Sequence, residues 1–247
     1  MPRFFVEPES IENNYVKITG DDARHISRSL RMAAGESITV CDMQGTDYHC
    51  VLDAFTESYV GATVISSNKV ESEPPFYAHL YQALPKGEKL DYIIQKAVEC
   101  GISEITTFNS ERCIAKEKSN ESAKLARRQR ISLEAAKQSG RGIVPTVNAT
   151  ISYNQMIDAS NKYDLVLFCY EKADGQSFKE LLSEFKAKGI STPRIAIIIG
   201  SEGGFSEKEA SIAKDSGMNI VGLGKRILRT ETASSFLLGC LVYEFEL

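Results

Sequence analysis

The chain has no long hydrophobic run. None of its apolar stretches approaches the roughly 20 residues that a transmembrane helix needs. The N-terminal segment carries Arg3 but loses its apolar character at Glu7, so it does not fit the pattern of a signal peptide. We therefore expect a cytoplasmic protein with no membrane partner.

The cysteines have no compact spacing. The chain has six cysteines and three histidines, and they form no Cys-x-x-Cys pair and no Cys/His cluster. Such cysteines are typical of reduced thiols that are buried as small apolar residues. We predict no disulfide and no metal site. The formal net charge of −4 argues against general nucleic-acid binding, so we expect no DNA partner and only a local RNA patch.

The first part of the chain has the pattern of a small β-rich domain. Short β-branched runs at 38–41, 48–55 and 59–65 predict strands, and a helix is predicted over 21–32. A polar segment with a diproline, residues 66–75, then breaks the pattern and is the best linker in the chain. We place the domain boundary there, with domains at 1–72 and 73–247.

The second part alternates between strand and helix patterns. The strands are predicted at 77–84, 104–108, 165–170, 195–199 and 219–223, and the helices at 89–100, 120–139, 177–187, 207–216 and 232–246. This alternation predicts an α/β domain with a mostly parallel sheet. Ser206 and Glu209 have the spacing of a capping box, which indicates that a helix begins at that point.

Two glycine-bearing turns near the C-terminus are the best evidence for a binding site. Each turn, at 200–204 and at 222–228, follows an apolar run and exposes backbone with little side-chain cover, which suits a flat ligand. The dinucleotide fingerprint fails because Ile227 stands where a third glycine is needed. The phosphate loop fails because Asn219 stands where its first glycine is needed.

The same turns resemble one protein family. Members of the RsmE family of bacterial ribosomal RNA methyltransferases, in the SPOUT superfamily, typically carry Ile-Gly-Pro-Glu-Gly-Gly-Phe-Ser and Leu-Gly-Pro-Arg-Ile-Leu-Arg-Thr-Glu-Thr-Ala. This chain reproduces both motifs except that Ser201 and Lys225 stand where proline is usual. The likeness extends through segments 25–32, 83–87, 94–101 and 134–141, so it covers essentially the whole chain. Because proline fixes φ, its loss predicts two more mobile loops.

The resemblance implies a fold and an activity. The fold would be a SPOUT-type α/β methyltransferase domain with a C-terminal trefoil knot, preceded by a small PUA-like β-barrel domain that holds RNA. The implied enzyme is a homodimer that uses S-adenosylmethionine (SAM) to methylate N3 of a uridine in the decoding region of 16S ribosomal RNA in the small ribosomal subunit. Knot and dimer are expected from the resemblance alone.

The cofactor is expected at the glycine turns, because adenine needs apolar walls and backbone hydrogen bonds rather than a phosphate cradle. Glu202 is a candidate for facing the cationic end of the cofactor, with a charge at a helix N-terminus as the alternative. The expected cofactor-binding residues are Gly200, Glu202, Gly203, Leu223, Gly224, Ile227, Leu228 and Thr230.

Catalysis at uracil N3 requires loss of a weakly acidic proton. Arg229 lies next to the cofactor loop and is expected to stabilise the developing negative charge on the base. Glu231 is the nearest carboxylate and the candidate general base, although a structural pairing with Arg229 or with the helix dipole explains it equally well.

Cationic side chains in both domains are candidates for RNA contacts. Arg24, Arg28 and Arg31 have the spacing of one helix face. The full set of candidates is Arg3, Arg24, Arg28, Arg31, Lys86, Arg112 and Arg141. A basic run at 124–130 fits either a solvated helix or a docking surface.

Two other functions stay open on the sequence. One is a ribose 2′-O-methyltransferase of the same superfamily. The other is an RNA-binding or ribosome-assembly factor whose cofactor site has decayed, with Ser201 and Lys225 as the first signs.

Overall fold

The computed structural model describes residues 1–115, 122–173 and 177–247. The chain forms two compact units. The first unit is Met1–Glu73 together with Ala136–Val144, and the second is Pro74–Ala135 together with Pro145–Leu247. The first crossing between units lies one residue after the boundary expected from the linker. No pattern in the sequence indicated that the chain returns to the first unit at Ala136–Val144.

The first unit is built on a six-stranded sheet in the order β1-β4-β5-β6-β3-β2. Strands β1 and β4 are parallel, and every other pair is antiparallel. One face carries a buried apolar cluster that includes Val16, Ile18, Ile38 and Leu52, which confirms the predicted β-rich character. The strands are β1 Arg3–Phe5, β2 Ile11–Glu12, β3 Tyr15–Thr19, β4 Ser37–Cys41, β5 Thr46–Phe55 and β6 Tyr59–Lys69.

The predicted helix over 21–32 is wrong in its second half. Helix α1, Gly20–Arg24, runs into a π-helical turn, His25–Ser29. Arg31 then adopts a left-handed conformation with φ of 53°, which ends the helical backbone. Because a π turn is wider than an α turn, α-helical spacing no longer aligns these side chains. Arg24, Arg28 and Arg31 therefore do not share one α-helical face.

Glu73 fastens the returning segment within the first unit. Its carboxylate accepts hydrogen bonds from the backbone N–H of Gly142 at 2.8 Å and of Ile143 at 3.1 Å. It also pairs with the guanidinium of Arg141 at 2.6 Å. Arg3 donates to the carbonyl of Arg141 at 2.9 Å and pairs with Asp47 at 2.8 Å. Arg3 and Arg141 thus hold this unit together.

The second unit contains a six-stranded sheet in the order β12-β10-β11-β7-β8-β9, and all of its strand pairs are parallel. The strands are β7 Tyr77–Ala83, β8 Glu104–Asn109, β9 Thr146–Ser152, β10 Leu165–Cys169, β11 Arg194–Ile199 and β12 Asn219–Val221. Five of these strands were predicted, and the α/β class is confirmed. Strand β9 and the helix that follows it were not predicted from the sequence.

The helices that accompany this sheet are α2 Lys89–Glu99, α3 Ser122–Ser139, α4 Tyr153–Ser160, α5 Phe178–Lys186, α6 Glu207–Asp215 and α7 Thr230–Phe245. Helix α6 begins with the predicted capping box of Ser206 and Glu209. Residues 120 and 121 of the helix predicted over 120–139 lie outside the described residues. In the described part of the chain, no helix has the length and apolar character required to span a membrane. The trefoil knot stays a prediction.

Candidate active site

A pocket of about 340 Å³ opens at the carboxyl ends of three adjacent strands, β10, β11 and β12. Cys169, the last residue of β10, lines it together with Tyr170 and Glu171, and the turn at 200–204 lines it after β11. The loop at 222–228 lines it after β12. In open parallel sheets, ligands bind outside the carboxyl ends of the strands. The pocket therefore lies where this fold class places its ligands.

All the residues predicted to bind a cofactor line this pocket. They are Gly200, Glu202, Gly203, Leu223, Gly224, Ile227, Leu228 and Thr230. The catalytic candidates Arg229 and Glu231 are neighbours of Thr230 but do not line it. The two glycine turns, which are separated in the sequence, therefore form one site.

The first turn is closed by its own backbone. The N–H of Gly204 donates to the carbonyl of Ser201 at 2.9 Å, and Gly204 has a φ of 63°. A Cβ atom at Gly200 would lie 3.2 Å from the backbone of Gly204, so the turn leaves little room for a side chain. Ser201, which replaces the usual proline, is buried in this closed turn.

A buried hydrogen-bond network ties the first turn to α7. The hydroxyl of Thr230 donates to the carbonyl of Gly200 at 2.6 Å. The side-chain amide of Gln82, at the end of β7, donates to the Thr230 hydroxyl at 2.9 Å and lies 3.3 Å from the same carbonyl. Gln82 was not predicted from the sequence, although an amide side chain in a buried strand was an available signal.

Lys89 joins two carboxylates beside the pocket. Its ammonium lies 2.9 Å from Glu202 and 3.6 Å from Glu231. The backbone N–H of Lys86 also donates to Glu202 at 3.1 Å. Burial raises the pKa of Glu202, but the hydrogen bonds from Lys89 and the backbone outweigh it and hold that pKa below its usual value. Lys89 was not predicted from the sequence. Its ammonium group compensates the negative charge of Glu202, which we had expected to face the cationic end of the cofactor.

The second turn is more open. Gly224 has a φ of 99°, which favours glycine at that position. Leu223 and Leu228 are half-buried, whereas Ile227 is 89% exposed. Lys225, which replaces the second usual proline, lines the pocket with an exposed side chain. The loop therefore presents apolar and cationic groups to the same opening.

Arg229 and Glu231 lie at the start of α7. The carbonyl of Arg229 accepts the N–H groups of Thr232 at 2.9 Å and Ala233 at 2.8 Å, and its side chain is exposed. One carboxylate oxygen of Glu231 is buried and accepts no hydrogen bond from the described residues, although Lys89 lies within ion-pair distance. No ion pair joins Arg229 to Glu231 among the ion pairs of the described residues.

The other RNA candidates fall into two groups. Arg24, Arg28, Arg31, Lys86 and Arg112 are exposed. Arg24 pairs with Asp21, and Arg112 donates to the carbonyl of Gly203 at 3.1 Å, on the lining of the pocket.

Arg141 and Arg3 belong to the second group. Arg141 is only 3% exposed, and both guanidinium groups are engaged within the first unit. The expectation that these two residues contact RNA is wrong, because their side chains are engaged in ion pairs within the first unit.

The basic run at 124–130 is partly structural. Arg127 pairs with Asp91 on α2, and Arg128 is buried. Gln129 bonds to the backbone at Pro145 and Val147. These contacts contradict the interpretation of the run as a wholly solvated helix face.

Comparison with known proteins places this geometry in a family. A model of the RNA methyltransferase domain matches residues 72–242, and a model of the RNA methyltransferase PUA domain matches residues 18–54. The chain is 33% identical to the ribosomal RNA small subunit methyltransferase E of Bacillus subtilis, over 100% of this chain and 98% of the relative. These matches identify the first unit as PUA-like and the second as the methyltransferase domain.

Solved structures agree with the sequence matches. The ribosomal RNA small subunit methyltransferase E of Neisseria gonorrhoeae, bound to SAM, is 29% identical with a TM-score of 0.81, over 98% of this chain and 97% of that one. A Legionella pneumophila protein described as a methyltransferase, in complex with SAM, is 27% identical with a TM-score of 0.81, over 98% and 96% of the two chains. The chain belongs to the ribosomal RNA small subunit methyltransferase E family.

Proposed function

We propose that this protein binds SAM in the pocket at β10, β11 and β12 and transfers its methyl group to N3 of a uridine in the decoding region of 16S ribosomal RNA. The observation that carries the proposal is the convergence of both glycine turns and the start of α7 on one pocket. Membership of the family supports the ribosomal substrate. Action on the small ribosomal subunit in turn implies a cytoplasmic protein.

The residues of the pocket fit SAM. Its volume, about 340 Å³, lies within the range of roughly 300–1,000 Å³ that is usual for small-molecule sites. Leu223 and Leu228 supply apolar walls. The buried hydroxyl oxygen of Ser201, which lines the pocket, lacks a hydrogen-bond partner in the described structure, and a bound ligand with polar groups would supply one. When bound, SAM supplies a methyl group on a sulfonium, which is already a good leaving group.

The protein must then promote loss of the proton from the acceptor, N3 of the uracil. Arg229, exposed beside the pocket, carries a charge that would stabilise negative charge on the uracil oxygens. Glu231 is the candidate base, with its buried oxygen available for a proton. Lys89 lies 3.6 Å from that oxygen and joins Glu231 to Glu202.

The residues that we propose to contact RNA are exposed cations within each unit. In the second unit, Lys86 and Arg112 flank the first glycine turn through their bonds to Glu202 and Gly203. In the first unit, Arg24, Arg28 and Arg31 are exposed around the π-helical turn. Such side chains fix RNA through its phosphates, while the target base leaves its stack to reach the pocket.

We also propose a homodimer, and α7 supports it. This helix buries Leu237, Leu238 and Leu241, yet Phe236 and Tyr243 on its other sides are 43% and 74% exposed. A helix that is apolar all round is normally covered on every side. Sedimentation equilibrium should give a dimer that dissociates in the double variant Phe236→Glu, Tyr243→Glu. A wild-type monomer at micromolar concentration would contradict the dimer.

Nucleoside mass spectrometry tests the reaction. Small subunits from cells that lack an equivalent enzyme are incubated with the purified protein and SAM, and the nucleosides are fragmented. We expect 3-methyluridine. Methyl on the ribose would establish the 2′-O alternative instead. Binding of subunits without any methyl transfer would overturn the enzyme and leave the binding factor.

A further inference from the structure

The two carboxylates that line the pocket differ in whether a cationic side chain is paired with them. Glu171 and Glu202 both line it. Glu202 is paired with Lys89 at 2.9 Å and accepts a backbone N–H. Glu171, in contrast, forms no hydrogen bond or ion pair with the residues that the structure describes, while its neighbour Lys172 is paired with Glu207 at 2.8 Å. Among the residues that the structure describes, Glu171 is therefore the lining carboxylate that has no cationic partner.

The position of this carboxylate is set by the first glycine turn. A Cβ atom at Gly204 would lie 3.1 Å and 3.3 Å from the two carboxylate oxygens of Glu171. Gly204 also has a φ of 63°, so a side chain there would be both strained and in contact with the carboxylate. The absence of a side chain at Gly204 lets the Glu171 carboxylate lie directly on the turn that lines the pocket.

SAM has a charge pattern that this arrangement matches. It carries two positive charges, a sulfonium and an ammonium, and one carboxylate. Lys225 and Arg226, exposed on the loop after β12, line the same pocket and provide cations for a carboxylate. A group of opposite sign is needed for the positive centres, and Glu202 is already neutralised by Lys89.

We infer that Glu171 is the carboxylate that faces the positive charge of bound SAM. This is the role that the sequence analysis expected for Glu202. The inference rests on the proposed function, because it requires SAM in this pocket. It makes Glu171 a specificity-determining residue that recognises the charged part of the cofactor, whereas the glycine turns and leucines recognise its adenosine.

Calorimetric titration separates these two parts of the cofactor. Three ligands are used: SAM, S-adenosylhomocysteine, which lacks the sulfonium charge, and 5′-methylthioadenosine, which is neutral and lacks the amino acid. The variant is Glu171→Gln, and the matched control is Glu202→Gln, which changes the paired carboxylate of the same pocket.

We expect Glu171→Gln to weaken SAM about threefold to tenfold while the affinity for 5′-methylthioadenosine stays unchanged, which also shows that the pocket is intact. A loss for SAM alone assigns the contact to the sulfonium. An equal loss for SAM and S-adenosylhomocysteine assigns it to the ammonium. Both outcomes support the inference.

An unchanged ratio of SAM to 5′-methylthioadenosine affinity in Glu171→Gln overturns the inference and leaves the proposed function standing. The inference is also overturned if Glu202→Gln changes the ratio of SAM to 5′-methylthioadenosine affinity as much as Glu171→Gln does. If the wild-type protein binds none of the three ligands, the proposed function itself fails.

Discussion

Glu202 and Glu231 share the ammonium group of Lys89, at 2.9 Å and 3.6 Å. Glu202 belongs to the first glycine turn and Glu231 to the first turn of α7, so one cation from α2 joins the two parts of the sequence that form the pocket. These two acidic residues were predicted from their motifs. The residue that connects them was not.

Removal of Lys89 should change the titration of Glu202. In Lys89→Met, burial still raises the pKa of Glu202 while the main opposing hydrogen bond is lost, so we expect its pKa to rise. Carbon-detected NMR of the carboxyl groups measures this directly. Lys86→Met is the matched control, because Lys86 contacts Glu202 through its backbone N–H, which the substitution retains. An unchanged pKa in Lys89→Met would contradict the ion pair.

Thr230 should be important for stability as well as for the site. In Thr230→Val the hydroxyl that bonds the carbonyl of Gly200 and accepts from Gln82 is lost in a buried position. We expect unfolding to become easier by about 1–3 kcal/mol, as measured by urea denaturation. Thr232→Val, an exposed threonine in the same helical turn, should change stability by less than ~0.5 kcal/mol. Equal effects of the two substitutions would contradict the network.

Arg229 should act on the chemical step and not on the cofactor. Because its exposed side chain does not line the pocket, Arg229→Ala should keep the wild-type Kd for SAM. The rate of methyl transfer should fall on the order of 10²–10³-fold, as for loss of one electrostatic stabiliser. Single-turnover assays measure the rate, and calorimetry measures the Kd. Arg229→Lys should recover part of the rate, and loss of SAM binding in Arg229→Ala would place the side chain in the cofactor site instead.

His79 should make the protein less stable in mild acid. Its ring is buried between Tyr163 and Thr106, at 2.5 Å and 2.7 Å, and burial lowers its pKa from 6.5 to about 4. Between these values the unfolded chain binds a proton that the folded protein does not. Stability contributed by the neutral ring is therefore fully present above pH 6.5 and is lost as the pH falls towards 4, by about 3 kcal/mol in total.

Urea denaturation at several pH values checks this expectation. The slope of the unfolding free energy between pH 4 and 6.5 should be smaller in His79→Gln than in the wild-type protein. An unaltered slope in His79→Gln would show that another group controls the acid sensitivity.

Local patterns predicted most of the second unit. Five of its strands and the capping box of α6 followed from apolar runs and cap spacing. Strand β9 and helix α4 were missed, although Ser152 and Gln155 form a capping box that the sequence displays. In the first unit the second half of the helix predicted over 21–32 was wrong, because the π-helical turn and the left-handed Arg31 have no signature in residue spacing.

The two glycine motifs of this sequence were enough to predict the lining residues that they contain, because a glycine turn at a strand end has a local form that its own residues set. They did not predict Tyr170 and Glu171, which line the same pocket from the end of another strand. Only the tertiary structure decided the charge state of the site. It brought Lys89 to Glu202, left Glu171 without a compensating charge among the described residues, and buried Arg141 against Glu73. The physical reason is distance, since an electrostatic interaction depends on separation in space, and residues far apart in sequence acquire that separation only when the chain folds.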